Sequence, residues 1–223
     1  MLLLWVLIAV AAATELRIVI ILPMDPSKRT AIPHVRPAVD EAIDTVYRKG
    51  ELSRAVINLT VTHRDSRSSD VYAPIAAVEM RHEANLFLGP CQSFAIAAVA
   101  RYAPVWDLPV ITACGAPHNL GKKEEFQTLT RMLPPYNSDS KVLLAMFTYF
   151  GWRKFGVLWH RDLESYEKDV SDCYFQTFAI QNEFGKIYGA NEKLEWLEKF
   201  DENHEMHRIP DLLREASLKV RSK

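Results

Sequence analysis

Apolar and polar positions fall in blocks along this chain, and the blocks alternate between two periods. Residues 16–22 (LRIVIIL) are nearly all apolar and stop at Pro23, the pattern of a strand covered on both faces. From near His34, the residues Val35, Val39, Ala42, Ile43 and Val46 recur at helical spacing until Gly50. Residues 55–62 read as a second strand, and Val71, Ile75 and Val78 mark a second helix. Two short apolar runs, 86–88 and 109–112, then flank a helix predicted over 93–105. Residues 126–131 give a further short strand. Strands alternating with helices imply an α/β fold built on a doubly wound parallel sheet.

Leu133-Pro134-Pro135-Tyr136-Asn137 interrupts this alternation and marks a crossover between two units. Beyond it, Ser138 is expected to cap a helix whose apolar face is Val142, Leu143, Met146, Phe147 and Phe150. A strand over 155–159, a helix over 170–182, a strand over 186–188 and a helix over 210–217 follow. The chain therefore divides into a leader (1–14), a first lobe (15–133) and an incomplete second lobe (134–223). In an open parallel sheet the turns after the strands share the carboxyl edge, where ligands bind. Those turns are the polar loop 63–70, the turn 89–93 and the turn 113–117.

The leader assignment rests on residues 1–13, apolar throughout and ending in Ala11-Ala12-Ala13-Thr14 as secretory signal peptides do. The expected basic residue near Met1 is missing, and the alternative is a first core strand over 2–10. No stretch has the roughly 20 apolar residues of a membrane-spanning helix. A net charge of -1 over 223 residues gives no field favouring nucleic acid. Export makes the odd cysteine count notable. Cys91 and Cys114 follow two predicted strands and could bridge if those strands are neighbours; buried thiols are the alternative, and Cys173 remains outside the pair. Asn58-Leu59-Thr60 is an N-glycosylation sequon, placed unusually within a predicted strand.

Catalytic motifs are absent. His160-Arg161-Asp162-Leu163 imitates a kinase loop, but Glu167 stands where the metal-binding Asn belongs and no glycine-rich loop accompanies it. His204 and His207 lack a third ligand, so no metal site is expected. The turn 89–93 is more informative. Ser93 is placed to cap its helix, with backbone N–H groups at the positive end in the outline of an anion site, though ordinary capped helices share these features. Among Asp70, Arg101, Lys122, Lys123, Glu124 and Glu125, Arg101 stands out because its predicted helix also carries Phe94, Tyr102 and Trp106. That mixture suits a peptide surface.

Leu88-Gly89-Pro90-Cys91, Val99-Ala100-Arg101-Tyr102, Trp106-Asp107-Leu108-Pro109, Leu129-Thr130-Arg131 and Asp172-Cys173-Tyr174-Phe175 follow one another at a spacing that resembles the extracellular hormone-binding domain of natriuretic peptide receptors. That family comprises receptor guanylate cyclases and clearance receptors with a type I periplasmic-binding-protein-like fold. The resemblance implies peptide contacts at Asp70, Phe94, Arg101, Glu125, Tyr174 and Phe175. It also implies a structural chloride at Ser66, Cys91 and Gln92, homodimerisation in a complete receptor, no catalysis in this segment, and a place outside the cell. Two departures stand out. Ser68 replaces the cysteine that the family pairs with its Gly-Pro-x-Cys turn, and Cys91 sits one residue early with Gln92 in the expected place, so that bridge cannot form. Cys173 matches a second-lobe cysteine whose partner would fall just beyond Lys223, as in a fragment or short isoform. A small-solute or amino-acid-binding domain of the same fold is the competing expectation.

Overall fold

The computed structural model describes residues 13–152, 154–160, 172–188, 196–201 and 205–220. Apart from Ala13 and Thr14, the expected leader lies outside the described residues, as do the kinase-like residues after His160, and His204. The elements in chain order are β1 (Thr14–Leu22), α1 (Ile32–Arg48), β2 (Ile57–Asp65), α2 (Tyr72–Met80), β3 (Leu86–Leu88), α3 (Ser93–Tyr102), β4 (Val110–Thr112), β5 (Leu129–Arg131), α4 (Tyr136–Tyr149), β6 (Gly156–His160), α5 (Asp172–Tyr188), β7 (Trp196–Phe200) and α6 (Ile209–Lys219).

Five parallel strands form the first sheet in the order β2-β1-β3-β4-β5. The central strand β1 buries Val19, Ile20, Ile21 and Leu22 in succession, which is why its sequence is apolar without alternation. Val19 and Ile21 belong to the larger core, where Phe87, Val110 and Leu129 meet Ala73, Ala76, Ala77 and Met80 of α2 and Ala95, Ile96, Val99 and Ala100 of α3. The alanines let both helices lie close to the sheet. On the other face Ile20 and Leu22 pack against Ile32, Val35 and Val39 of α1. Helices on both faces of a parallel sheet are the doubly wound architecture expected from the alternation.

In the second unit β6 and β7 pair in parallel, from Gly156 opposite Trp196 to His160 opposite Phe200. Phe155 joins this unit together, with its ring 4.5 Å from Phe147 of α4 and 5.1 Å from Phe184 of α5.

Several expected bounds are corrected. Helix α5 continues past Asn182 to Tyr188, so the strand expected over 186–188 is helical, and the strand pairing with β6 is instead β7. Packing of buried Phe184 and the Glu183–Lys186 ion pair (2.6 Å) hold that last turn against the strand preference of Ile187 and Tyr188. Ser138 does not cap α4. Pro135 precedes the helix, and Ser138 lies in its first turn, its N–H donating to the Pro135 carbonyl (2.8 Å). The helix expected over 93–105 ends at Tyr102 and tightens into a 3₁₀ turn over Ala103–Trp106. The strand expected over 126–131 shortens to β5, with Phe126 buried in the loop before it.

Candidate functional site at the carboxyl edge of the first sheet

The chain leaves β1 toward β2 on one side and returns to β3 on the other, so the crevice beyond the carboxyl ends of β1 and β3 is a topological switch point. Two of the three expected turns close on the end of β1. The buried Ser66 donates its N–H to the Leu22 carbonyl (3.0 Å), and its hydroxyl accepts from the Ser68 N–H (3.3 Å). From the other side Gly89 (φ 96°) approaches so closely that a Cβ would lie 2.5 Å from the Ile21 carbonyl oxygen. Only glycine fits there.

Cys91 and Cys114 are disulfide-bonded, with Cα atoms 5.1 Å apart, and the bridge ties the turn after β3 to the turn after β4. The alternative of buried thiols is thereby set aside. The turn after β3, expected to lack a bridge to the loop at Ser68, is pinned instead to the turn after β4, because β3 and β4 are direct neighbours. Two further groups brace it. Buried Thr112 donates its hydroxyl to the Pro90 carbonyl (2.7 Å) and accepts from the Cys114 N–H (3.0 Å). Arg131 at the end of β5 donates to the carbonyls of Gly115 (2.9 Å) and Pro117 (3.0 Å), and burial pushes its guanidinium pKa down.

Ser93 is the first residue of α3 and does not cap it; Gln92 occupies the cap position without a side-chain bond. The Ser93 hydroxyl instead donates to Asp172 Oδ1 at the start of α5 (3.4 Å). A crevice of about 250 Å³ opens here, lined by Thr30, Cys91, Gln92, Cys114, Gly115, Ala116, Leu133, Tyr136 and Asp172. Burial, with the neighbouring Asp172 charge and hydrogen bond, pushes the Tyr136 phenol up to about 12. Beside this polar contact, the Phe94 and Phe175 rings lie 5.8 Å apart, and Tyr174 stands 5.8 Å from Phe175. The start of α3 therefore meets the start of α5 through one polar and one aromatic pair.

The expected peptide-facing residues are thus gathered unevenly. Phe94, Tyr174 and Phe175 form one cluster, in which Phe94 and Tyr174 are 41% and 40% exposed. Arg101 and Glu125 form another, with Arg101 Nε donating to Glu125 Oε1 at 2.6 Å. The aromatic neighbour of the Arg101 guanidinium is Phe126, 5.1 Å from the ring centre, rather than Phe94 or Trp106. Asp70 is exposed in the loop before α2. For the expected chloride, buried Ser66 and the start of α3 offer a hydroxyl and backbone N–H groups, whereas the buried Gln92 Oε1, without a hydrogen-bond partner, is an acceptor that would call for a donor and not for an anion. Sequence reading missed Tyr136, Asp172 and Arg131 as parts of the site. The acidic first turn of α5, directly before Cys173-Tyr174-Phe175, was the available signal for Asp172.

Among the described residues there is no cluster of three metal-ligating side chains and no helix long and apolar enough to cross a membrane. Residues 34–179, more than half of the chain, match the family model described as the receptor family ligand binding region. Atrial natriuretic peptide receptor 3 of Rattus norvegicus is 29% identical over 181 residues, covering 78% of this chain and 33% of the receptor. The Homo sapiens counterpart is 28% identical over 181 residues, covering 76% of this chain and 32% of the receptor. Atrial natriuretic peptide receptor 2 of Rattus norvegicus is 27% identical over 183 residues, covering 80% of this chain and 17% of the receptor. The matched region is thus a third or less of each of these relatives.

Proposed function

The chain belongs to the family of receptor ligand-binding regions, and from that premise we propose that it is an extracellular segment that binds a peptide hormone of the natriuretic type. In a complete receptor such binding would regulate cGMP signalling, with no catalysis by this segment itself. The lobes are 15–133 and 134–223. The peptide meets Asp70, Phe94, Arg101, Glu125, Tyr174 and Phe175, and a complete receptor works as a homodimer. A chloride is held by the Ser66 hydroxyl and the backbone N–H groups of Cys91 and Gln92, steadying the turn from which α3 starts.

The observation that supports this best is the outward side of α3. Phe94 and Arg101 lie seven residues apart on one helical face, exposed, each already paired with another expected contact residue, Phe175 and Glu125. A surface with an exposed carboxylate, a guanidinium and aromatic rings suits a cyclised basic peptide held by charge and ring packing. The second reading, a small amino acid in the crevice beside Gln92 and Asp172, draws support from the crevice volume.

Titration calorimetry separates the two. A cyclic natriuretic-type peptide should give saturable heat, with affinity about tenfold weaker in Arg101→Ala. Saturable binding of a free amino acid with no peptide response would overturn the proposal in favour of the second reading.

A further inference from the structure

Strand β2 is the edge of the five-stranded sheet, nine residues long and paired on one side only. Its first six residues, INLTVT, contain no charge, proline or glycine, whereas its carboxyl end carries Arg64 and Asp65. An uncharged stretch of edge strand rich in β-branched residues is a template for pairing with another chain unless something blocks it. Helix α1 blocks part of it. The Tyr47 hydroxyl donates to the Ile57 carbonyl (3.0 Å) and accepts from the Leu59 N–H (2.7 Å), and Arg36 Nη1 donates to the Val61 carbonyl (3.4 Å). Val61 joins the α1-side core, so α1 guards the edge from the face of Leu59 and Val61.

The opposite face of the same edge has Asn58 opposite Glu15 and Thr60 opposite Arg17. There Asn58 and Thr62 are exposed, and the Thr60 hydroxyl donates to Glu15 Oε1 (3.2 Å). Asn58 is the acceptor of the Asn58-Leu59-Thr60 sequon. We propose that Asn58 carries an N-linked glycan that shields the edge of β2 on the face α1 leaves open. Its place within a strand is no obstacle, because the sugar is added to the extended chain before folding and the folded strand leaves the Asn58 side chain in solvent. In that step Asn58 Nδ2 loses a proton and bonds to the first sugar of a lipid-pyrophosphate-linked oligosaccharide, and the lipid pyrophosphate departs. The site lies toward the amino end of the strands, away from the carboxyl-edge crevice, so a glycan there leaves the crevice open.

The inference rests on the chain being exported, as the receptor reading requires, and the test keeps the two apart. The full chain is translated with endoplasmic-reticulum microsomes and scored for protease protection and for a mass decrease on peptide-N-glycosidase treatment. A protected chain should show one decrease, absent from Asn58→Gln and Thr60→Ala and retained in Thr60→Ser. A protected chain without the decrease overturns the glycan and leaves the receptor reading standing; an unprotected chain overturns both. For the shielding role, the secreted protein is deglycosylated in its folded state and followed by light scattering after gel filtration. Species larger than those of the intact protein should grow severalfold, and Thr62→Lys, which puts a charge on the same edge, should suppress them. Identical profiles before and after deglycosylation would overturn the shielding role.

Discussion

The two units of this chain solve the same packing problem to different depths. In the first, four successive residues of β1 are buried because helices cover both faces of the sheet. In the second, all five residues of β6 are only half-buried, and α4 leaves Val142, Met146, Tyr149 and Phe150 exposed. What holds the second unit is a run of ring contacts, Phe147 to Phe155 to Phe184, behind two described strands. Two strands bury too little apolar area to be stable alone, whereas five strands between helix layers suffice. The difference teaches that the more deeply packed side of the site is the first unit, and that the second contributes the wall formed by Asp172 and Phe175.

The largest test of that contrast is a pair of truncations. Phe87→Ala, in the middle of the first core and fully buried, should cost about 3–5 kcal/mol, against less than about 1.5 kcal/mol for half-buried Val157→Ala in β6, both read from urea denaturation. Equal costs would remove the contrast. Next comes the Cys91–Cys114 bridge, whose 23-residue separation predicts about 3.5 kcal/mol of stabilisation by loop closure. Cys91→Ala/Cys114→Ala should lower the stability of the first unit by roughly that amount, and reductant should do nothing further to the double variant. Arg101→Ala sharpens the contrast from the surface. Its exposed ion pair should contribute at most about 1 kcal/mol to folding, while the proposed peptide should bind about tenfold more weakly.

The smallest effect concerns the wall between the units. A phenol raised from 10 to about 12 keeps its proton longer in the folded protein than in the unfolded one. Its contribution is therefore complete below pH 10 and is lost progressively as pH rises from there toward 12. Tyr136→Phe should flatten the thermal stability profile over that window and leave its slope at pH 7 to 9 unchanged. An unchanged alkaline slope in the variant would show that the Tyr136–Asp172 contact does not carry it.

The first unit was legible in the sequence almost element by element, since strands buried on both faces leave long apolar runs and Gly50 and Pro23 punctuate them. The turns of the site were legible in position but not in bonding. Ser93 and Ser138 both stand where caps are common, yet the first bonds across to α5 and the second sits inside its helix, because capping depends on where the preceding residue points. The disulfide needed the adjacency of β3 and β4, which no local pattern encodes. Ile187 and Tyr188 looked like a strand because of their β preference, which tertiary packing of Phe184 overrides. Trp196-Leu197-Glu198-Lys199-Phe200 escaped notice because a five-residue strand carrying two charges gives little periodic signal.

Helix α3 is ten residues long, about 15 Å at 1.5 Å per residue, with Ser93 and Phe94 at one end and Arg101 near the other. Its inner side, Ala95, Ile96, Val99 and Ala100, is wholly buried against the sheet, so it cannot roll or slide by itself. A load applied at Arg101 is consequently borne by the whole first unit, as by a shaft keyed into its hub. At its other end the shaft meets the second block through two small bearings, Ser93 against Asp172 and Phe94 against Phe175.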